Sequence, residues 1–145
     1  MDHLAILAKQ RKLLQKIIEG EKTIESRWYK SKKTPFGMIK AGDRVYFKDS
    51  GEPVTVIADV EKALFFEGVD EATIQKILKE YGKQICIKNY DLQAYKGINY
   101  VTLVFLKNVK EIQPFDVDKT GYGVMAAWIT VDNINKIKKH PTERL

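Results

Sequence analysis

The apolar residues at the start of the chain recur at three- and four-residue intervals, and several basic residues lie off this stripe. Such spacing is typical of an amphipathic helix, and it predicts a first helix from about Leu4 to Glu19. Gly20 then provides a C-terminal stop. Beyond Gly20 the apolar residues alternate with polar ones, which predicts a strand from Thr23 to Tyr29.

Alternation along this strand sorts its side chains onto two faces. Glu25, Arg27 and Tyr29 share one face, while Ile24 and Trp28 lie on the other. An acid, a guanidinium and an aromatic ring on one face suit a polar ligand, a nucleotide above all. Because Trp28 shares its face with Ile24, burial in the core is favoured over stacking on a ligand.

A basic loop and a hairpin follow the first strand. Residues 30–37 carry three lysines with a proline and a glycine, which predicts a surface loop. This loop suits phosphate contact, and it equally suits a plain connection. The strands Arg44–Lys48 and Val54–Ala63 flank a tight-turn sequence at residues 49–51, so we expect a β-hairpin there.

The second half of the chain mixes one clear helix with further strands. Apolar residues at helical spacing predict a second helix that begins at an Asp70 N-cap and ends at Gly82. Strand patterns and a short last helix capped by Asp132 follow. Strands interrupted by helices without strict alternation indicate an α+β domain with a largely antiparallel sheet or small barrel. The predicted strands are Ile98–Leu106, Val109–Ile112 and Val124–Val131.

Length and composition indicate one globular domain. A chain of 145 residues can bury roughly 70% of the surface of its unfolded form. Its 44% apolar and 30% charged residues exclude an intrinsically disordered protein. The formal charge of +6 suits an anionic partner such as nucleic acid, and it equally suits a lysine-rich solubilising surface.

Several cellular and chemical classes are disfavoured. Cys86 is the only cysteine and lies among apolar residues, which favours a buried thiol and a reducing compartment. No apolar run reaches the ~20 residues of a membrane span, and no signal peptide is evident, so we expect a cytoplasmic protein. His3 and His140 have no neighbouring ligands at metal spacing. Phosphate-loop, dinucleotide and serine-hydrolase motifs are also missing, and no cofactor is expected.

Two segments resemble a known family. Gly20–Arg27 matches the pattern G-x-K-x-x-E-x-R, which resembles the signature of ASCH domains, the activating signal cointegrator homology domains. Gly42–Gly51 is similar to the second motif of that family, and Pro114–Ile129 resembles its closing strands. The resemblance implies one PUA-like domain over residues 1–145: a small mixed or antiparallel β-barrel flanked by two to three helices. It also implies binding of RNA or a nucleotide-like ligand.

A subset of ASCH relatives are amidohydrolases that deacetylate N4-acetylcytidine, and some members cut RNA. The amidohydrolase motif runs G-x-K-T-x-T-x-R, which Lys22, Thr23 and Arg27 match. Glu25 occupies the position of the catalytic threonine, and a carboxylate can act as a base but cannot replace a hydroxyl nucleophile. The partner glutamate of that mechanism has three candidates here, Glu67, Glu71 and Glu80.

The first hypothesis is a nucleic-acid-binding domain. Basic residues would contact phosphate, an aromatic ring of the first strand would stack on a base, and Glu25 would read an amino edge. A structural salt bridge between Glu25 and Arg27 is the alternative role of that pair. The phosphate contacts of this hypothesis are Lys22, Arg27, Lys30 and Lys48, with Tyr29 favoured for stacking.

Two further hypotheses use the same cleft. A metal-independent hydrolase would employ Lys22 and Glu25 as its catalytic residues, although strict alternation places Lys22 on the opposite face. A module for protein or small molecules would use backbone N–H groups of the turn around Ser50 to bind an anion, unless that turn is an ordinary hairpin. The sequence leaves the oligomeric state undefined, and it does not decide whether three tyrosines reach the cleft: Tyr90, Tyr95 and Tyr122.

Overall fold

The computed structural model describes residues 1–123 and 125–139. Its main elements are six strands and two α-helices, joined by loops and short 3-10 turns. The helices are α1 (Leu13–Ile18) and α2 (Glu71–Ile85). The strands are β1 (Asp2–Leu7), β2 (Ile24–Tyr29), β3 (Arg44–Asp49), β4 (Val54–Glu67), β5 (Tyr100–Phe115) and β6 (Trp128–Val131).

All six strands belong to one mixed sheet in the order β2-β5-β4-β3-β1-β6. The pair β1 and β3 is parallel, and the other pairs are antiparallel. The sheet curls into a half-barrel, so that β2 at its edge returns close to β1. Arg27 of β2 crosses this seam and donates to the carbonyl oxygens of Ile6 and Ala127. The predicted α+β class is confirmed.

The prediction of a first helix from Leu4 to Glu19 is wrong over its first half. Residues 2–7 form β1, which lies between β3 and β6 and is buried on both faces. A strand covered on both faces has a nearly continuous apolar run, which periodicity alone does not distinguish from a helix. Only Leu13–Ile18 is α-helical, and it begins after Lys12 takes a left-handed conformation with φ of 56°.

The first predicted strand and the hairpin are confirmed. β2 begins one residue later than expected, at Ile24, and ends at Tyr29. β3 pairs with β4 around the tight turn at residues 49–51. β4 continues to Glu67, beyond the predicted end at Ala63, because its second half pairs with β5.

The second helix has the predicted start and a different end. The side chain of Asp70 accepts a hydrogen bond from the backbone N–H of Thr73 at 2.8 Å, which confirms the N-cap. The stop at Gly82 is wrong, because Gly82 is a buried helical residue whose missing Cβ makes room for the carbonyl of Ile87. The helix ends instead at half-buried Cys86, which is left-handed with φ of 70°; the thiol is therefore less buried than expected.

Two strands predicted between Ile98 and Ile112 are one strand, β5. The expected break falls at Asn108, a left-handed residue with φ of 52° where the pairing with β4 shifts register. This is a β-bulge, which bends a strand without ending it. Asn108 donates to the carboxylate of Asp59 on β4 at 3.0 Å and so stabilises the bulge.

The last strand is shorter than predicted. β6 begins at Trp128, and Val124, the predicted first residue, lies outside the described residues, as does His140. The last helical segment is a 3-10 turn whose cap is Asn133, because Asn133 rather than Asp132 accepts from a backbone N–H. The prediction of an Asp132 cap is wrong by one position.

Apolar side chains pack on both sides of the curled sheet. One cluster lies under α1 and includes Leu13, Ile17 and Phe47. Another lies under α2 and includes Ile77 and Leu103. The two helices therefore cover opposite sides of the sheet and leave the seam between β2 and β1 accessible. Within the described residues, no helix has the length and apolar character needed to cross a membrane.

Candidate functional site

Lys22 is a buried cation where the end of α2 meets the start of β2. Its side chain is 2% exposed, and its ammonium donates to the carbonyl oxygens of Ile24 and Ile85 at 2.9 Å each. Nζ lies 3.7 Å from Oε1 of Glu25. Burial lowers the pKa of Lys22, and the Glu25 carboxylate opposes that shift. The expectation from strict alternation is wrong, because Lys22 precedes β2 and is not bound by strand geometry.

Glu25 is a buried carboxylate whose two oxygens differ. Oε1 accepts a hydrogen bond from the backbone N–H of Ser26 at 2.8 Å. Oε2 is buried without a hydrogen-bond partner in the described structure, and Nη2 of Arg27 lies 3.8 Å from it. The Glu25–Arg27 ion pair considered from the sequence is thus present, at a distance that leaves Oε2 able to accept another donor.

Arg27 spans the seam of the half-barrel. Its side chain is 12% exposed, and its two terminal nitrogens donate to the carbonyl oxygens of Ala127 at 3.4 Å and Ile6 at 3.3 Å. The guanidinium lies over the ring of Trp128, with Cζ 5.1 Å from the ring centroid. Its Nε is buried and unpartnered among the described residues. Arg27 therefore holds a fixed position with one donor unused.

Unsatisfied polar atoms are concentrated on this face of the sheet. Thr102 of β5 pairs across the strands with Arg27, and its hydroxyl is buried without a partner. Together with Glu25 Oε2 and Arg27 Nε, it makes three of the four such side-chain atoms in the described structure. Native proteins leave few buried polar groups unpaired, so a cluster of them calls for a functional explanation.

Aromatic rings form the wall of a cavity beside these groups. The cavity has a volume of about 320 Å³ and extends from Lys22 and Glu25 to Arg11. Trp28 is half-buried, and its ring meets that of Tyr95 edge-on, with centroids 4.9 Å apart. The indole N–H of Trp28 donates to Ser26 Oγ at 2.8 Å, which fixes the ring at the cavity. Trp28 also packs against the core cluster under α2, so the burial expected from the sequence is confirmed in part.

A second cavity of about 370 Å³ continues along the seam and shares Glu25, Trp28 and Arg11 with the first. It runs between Tyr29 of β2 and Leu7 of β1. We refer to the two cavities together as the cleft.

Comparison with solved structures gives the fold a name. The ASCH protein of Zymomonas mobilis superimposes with a TM-score of 0.67 over 95% of this chain and 96% of that chain, at 13% sequence identity. A tyrosine-to-phenylalanine variant of the same protein gives 0.68 over 93% of both chains, at 15% identity. This chain has the ASCH fold. No protein-family sequence model matches the chain, and a search of curated protein sequences gives no match.

The PUA-like architecture implied by the G-x-K-x-x-E-x-R pattern is therefore confirmed at the level of the fold. Within that ASCH fold the pattern occupies the seam, where it supplies the buried Lys22, the carboxylate of Glu25 and the bridging Arg27. Tyr29 also lines the cleft, and Nζ of Lys33 lies 4.5 Å from the centroid of its ring. Four of the predicted site residues thus lie together.

Three other predicted site residues do not line the cleft. Lys30 lines a separate cavity of about 560 Å³. Ser50 lines a smaller cavity of about 230 Å³ with Lys119, which adjoins the far end of the cleft at Leu7. Lys48 lines none of these cavities, and burial lowers its pKa with a contribution from the charge of Lys119.

The structure shows which of the glutamates and tyrosines left undecided by the sequence line the cleft. Tyr95 reaches the cleft, and it comes from the 3-10 turn at Leu92–Tyr95. Glu71 lines the cavity of about 560 Å³ instead, beside the N-terminus of α2. The others line none of the four cavities: Glu67, Glu80, Tyr90 and Tyr122.

Sequence reasoning missed Arg11 and the support behind Arg27. The false first helix placed Arg11 on a solvated helix face, whereas the turn after β1 directs it to the cleft. Behind Arg27, Trp128 donates to Nδ1 of His3 at 3.1 Å, while Nε2 of His3 donates to Asp43 at 2.9 Å. An indole can only donate, so the Trp128 contact fixes the proton of neutral His3 on Nε2.

No metal site accompanies the cleft in residues 1–123 and 125–139, where no group of three or more His, Cys, Asp or Glu side chains is arranged to hold an ion. The cleft presents a buried ammonium, a carboxylate with one oxygen that has no hydrogen-bond partner and a guanidinium with one such nitrogen among the described residues. Such a set recognises a ligand with adjacent hydrogen-bond donors and acceptors.

Proposed function

We propose that this chain is a single RNA-binding domain over residues 1–145 and that its cleft holds one nucleotide of a single-stranded segment. The observation that carries the proposal is the cluster of unpaired buried atoms beside an aromatic wall. A nucleobase has a donor for Glu25 Oε2 and an acceptor for Arg27 on neighbouring positions of one edge. It also has a flat face that can stack on an aromatic ring.

The basic rim would provide the phosphate contacts. Arg11 lines both parts of the cleft, and Lys33 extends over the ring of Tyr29, which lines its second part. The net charge of +6 favours approach of a polyanion. Lys22 is not in a position for this role, because its ammonium is already bound to two backbone carbonyls. Its part is to place a positive charge 3.7 Å from the Glu25 carboxylate.

A hydrolase is the second candidate, and the Lys22–Glu25 pair favours it. A desolvated lysine with a lowered pKa beside a carboxylate is an arrangement that can transfer protons. The substrate would be N4-acetylcytidine or RNA. Glu25→Gln tests this candidate, since it keeps the shape of the side chain and removes the base. Loss of product formation with retained RNA binding would establish catalysis.

The binding proposal is tested by fluorescence anisotropy with labelled single-stranded RNA at two salt concentrations, about 50 and 200 mM. Arg27→Lys retains the positive charge but removes the planar guanidinium and its Nε donor. We expect at least a tenfold weaker affinity, roughly 1.4 kcal/mol, for this variant. Arg44→Lys is the matched control, because Arg44 pairs with Asp2 away from the cleft.

Three outcomes of the binding experiment lead to different conclusions. Salt-dependent binding that falls in Arg27→Lys and not in Arg44→Lys supports recognition at the cleft. Equal affinity in both variants would place any RNA contact elsewhere on the surface. An absence of salt-dependent binding in the native chain would refute the proposal, and stabilisation by a nucleoside alone would then indicate a small-molecule site.

A further inference from the structure

The largest of the four cavities described above lies next to the cleft and has no part in the function proposed so far. Its volume is about 560 Å³, and it lies between the N-terminal turn of α2 and residues 92–99. Tyr95 and Ile98 line both this cavity and the cleft, so a single wall separates the two spaces. We refer to it as the adjoining cavity.

Four polar side chains of the adjoining cavity have no partner among the described residues. Those of Lys30, Gln93, Lys96 and Asn99 form no hydrogen bond or ion pair within the described part of the chain. Two ammoniums and two amides therefore surround a cavity whose apolar lining comes from residues such as Ile74. Amides can pair with base edges, and ammoniums can contact phosphate.

The position of Lys30 links the two spaces. It directly follows Tyr29 of the cleft, and its stem lies against Gly97, where an added Cβ would approach Lys30 Cε to 3.4 Å. Gly97 has φ of +85°, a conformation that glycine adopts at little cost. The turn at Gly97 thus keeps the segment after Tyr95 close to Lys30 and leaves the ammonium at the cavity.

We propose that the adjoining cavity holds the nucleotide next to the one in the cleft, so that the RNA chain passes over Tyr95. This inference rests on the proposed function and extends the recognised segment to at least two nucleotides. Lys30 and Lys96 contact phosphate, while Gln93 and Asn99 contact the second base. Asp70 and Glu71 also line the cavity and disfavour a phosphate deep inside it, which leaves that space to the base and ribose.

The test compares affinity for fluorescein-labelled oligouridylates of increasing length, from a mononucleotide to a hexanucleotide. The variant is Lys30→Gln/Lys96→Gln, which removes both ammoniums and keeps long polar side chains. We expect unchanged mononucleotide binding and at least tenfold weaker binding of the hexanucleotide. The slope of log affinity against log salt should fall by about 1.4, since each phosphate contact to a single strand contributes about 0.7.

Lys76→Gln/Lys79→Gln is the matched control, because it removes two exposed positive charges from α2 at residues that line neither the cleft nor the adjoining cavity. The proposal is overturned if the Lys30→Gln/Lys96→Gln variant binds every length as the native chain does, or if it weakens mononucleotide binding equally. Arg27→Lys separates failure of the cleft assignment from failure of the adjoining-cavity assignment. If Arg27→Lys leaves the affinity for every oligonucleotide length unchanged, the cleft is misassigned. If Arg27→Lys weakens binding of every length while the Lys30→Gln/Lys96→Gln variant weakens none, only the adjoining cavity is misassigned.

Discussion

Replacement of Lys22 by methionine tests the core of the site most directly. Lys22→Met keeps an unbranched apolar stem and removes the ammonium that donates to Ile24 and Ile85. It also removes the charge 3.7 Å from Glu25, whose side chain is only 4% exposed. The substitution therefore leaves a buried carboxylate without its closest cation and two carbonyl oxygens without their donor.

The size of the effect follows from these losses. Breaking a buried ion pair by removing one partner costs about 3–5 kcal/mol of the free energy of unfolding. A domain of this size has about 5–15 kcal/mol in total, so the variant should fold with a much reduced stability. Glu25→Gln removes the negative charge that Lys22 no longer compensates. We therefore expect the double variant Lys22→Met/Glu25→Gln to be more stable than Lys22→Met alone, by about 1–3 kcal/mol.

Urea unfolding followed by tryptophan fluorescence and by circular dichroism measures these differences. Trp28 lies at the cleft and Trp128 lies under Arg27, so the fluorescence reports on the seam. Lys79→Met serves as the control and should stay within about 0.5 kcal/mol of the native chain, because Lys79 is exposed. Suppose instead that Glu25→Gln lowers the free energy of unfolding of Lys22→Met by as much as it lowers that of the native chain. That result would refute the argument that Lys22 compensates the Glu25 charge.

Three further predictions concern stability, each measured by urea unfolding. Asp70→Ala removes the N-cap of α2 and should cost about 1 kcal/mol, whereas an unchanged midpoint would show that the cap is dispensable. Cys86→Gly should raise the free energy of unfolding by about 1 kcal/mol, because a φ of 70° strains a residue that has a Cβ. A lower free energy of unfolding would mean that contacts of the thiol outweigh this strain. Burial lowers the pKa of His3, so the imidazole takes up a proton at a higher pH in the unfolded chain than in the folded one, and the free energy of unfolding should fall as the pH drops below 6.5. His3→Gln should make the free energy of unfolding less dependent on pH. An identical pH dependence in this variant would exclude His3 as its source.

The fold was predictable from the sequence wherever local chemistry determined the structure. Alternation located β2, the turn at residues 49–51 located the hairpin, and the side chain of Asp70 located the start of α2. β1 was not predictable in the same way, because its partners are distant in the chain. Its pairing with β3 and β6 places it inside the sheet, and apolar clusters on the two sides of the sheet cover its faces, Leu4 in one and Ala5 and Leu7 in another. That burial produced a pattern resembling a helix.

The site shows the same division between local and long-range information. The shared face of Glu25 and Arg27 follows from strand geometry and required only a correct β2. The contribution of Arg11 depended on the path of the chain after β1, which the false helix concealed. The residues that support Arg27 from behind come from both ends of the chain, since His3 and Trp128 are 125 positions apart. No local pattern brings such residues together.

The place of the cleft in the sheet explains why the polar cluster exists at all. An open half-barrel has an edge at β2 that carries unpaired backbone groups, and a protein must cover or bridge such an edge. Here Arg27 bridges it through the carbonyls of Ile6 and Ala127, which draws a guanidinium and its counter-ion Glu25 into a buried position. A side chain that closes the seam cannot also satisfy every polar atom beside it. The unpaired atoms of the cleft therefore lie where the sheet closes, and the ligand edge proposed above would supply one donor and one acceptor to them.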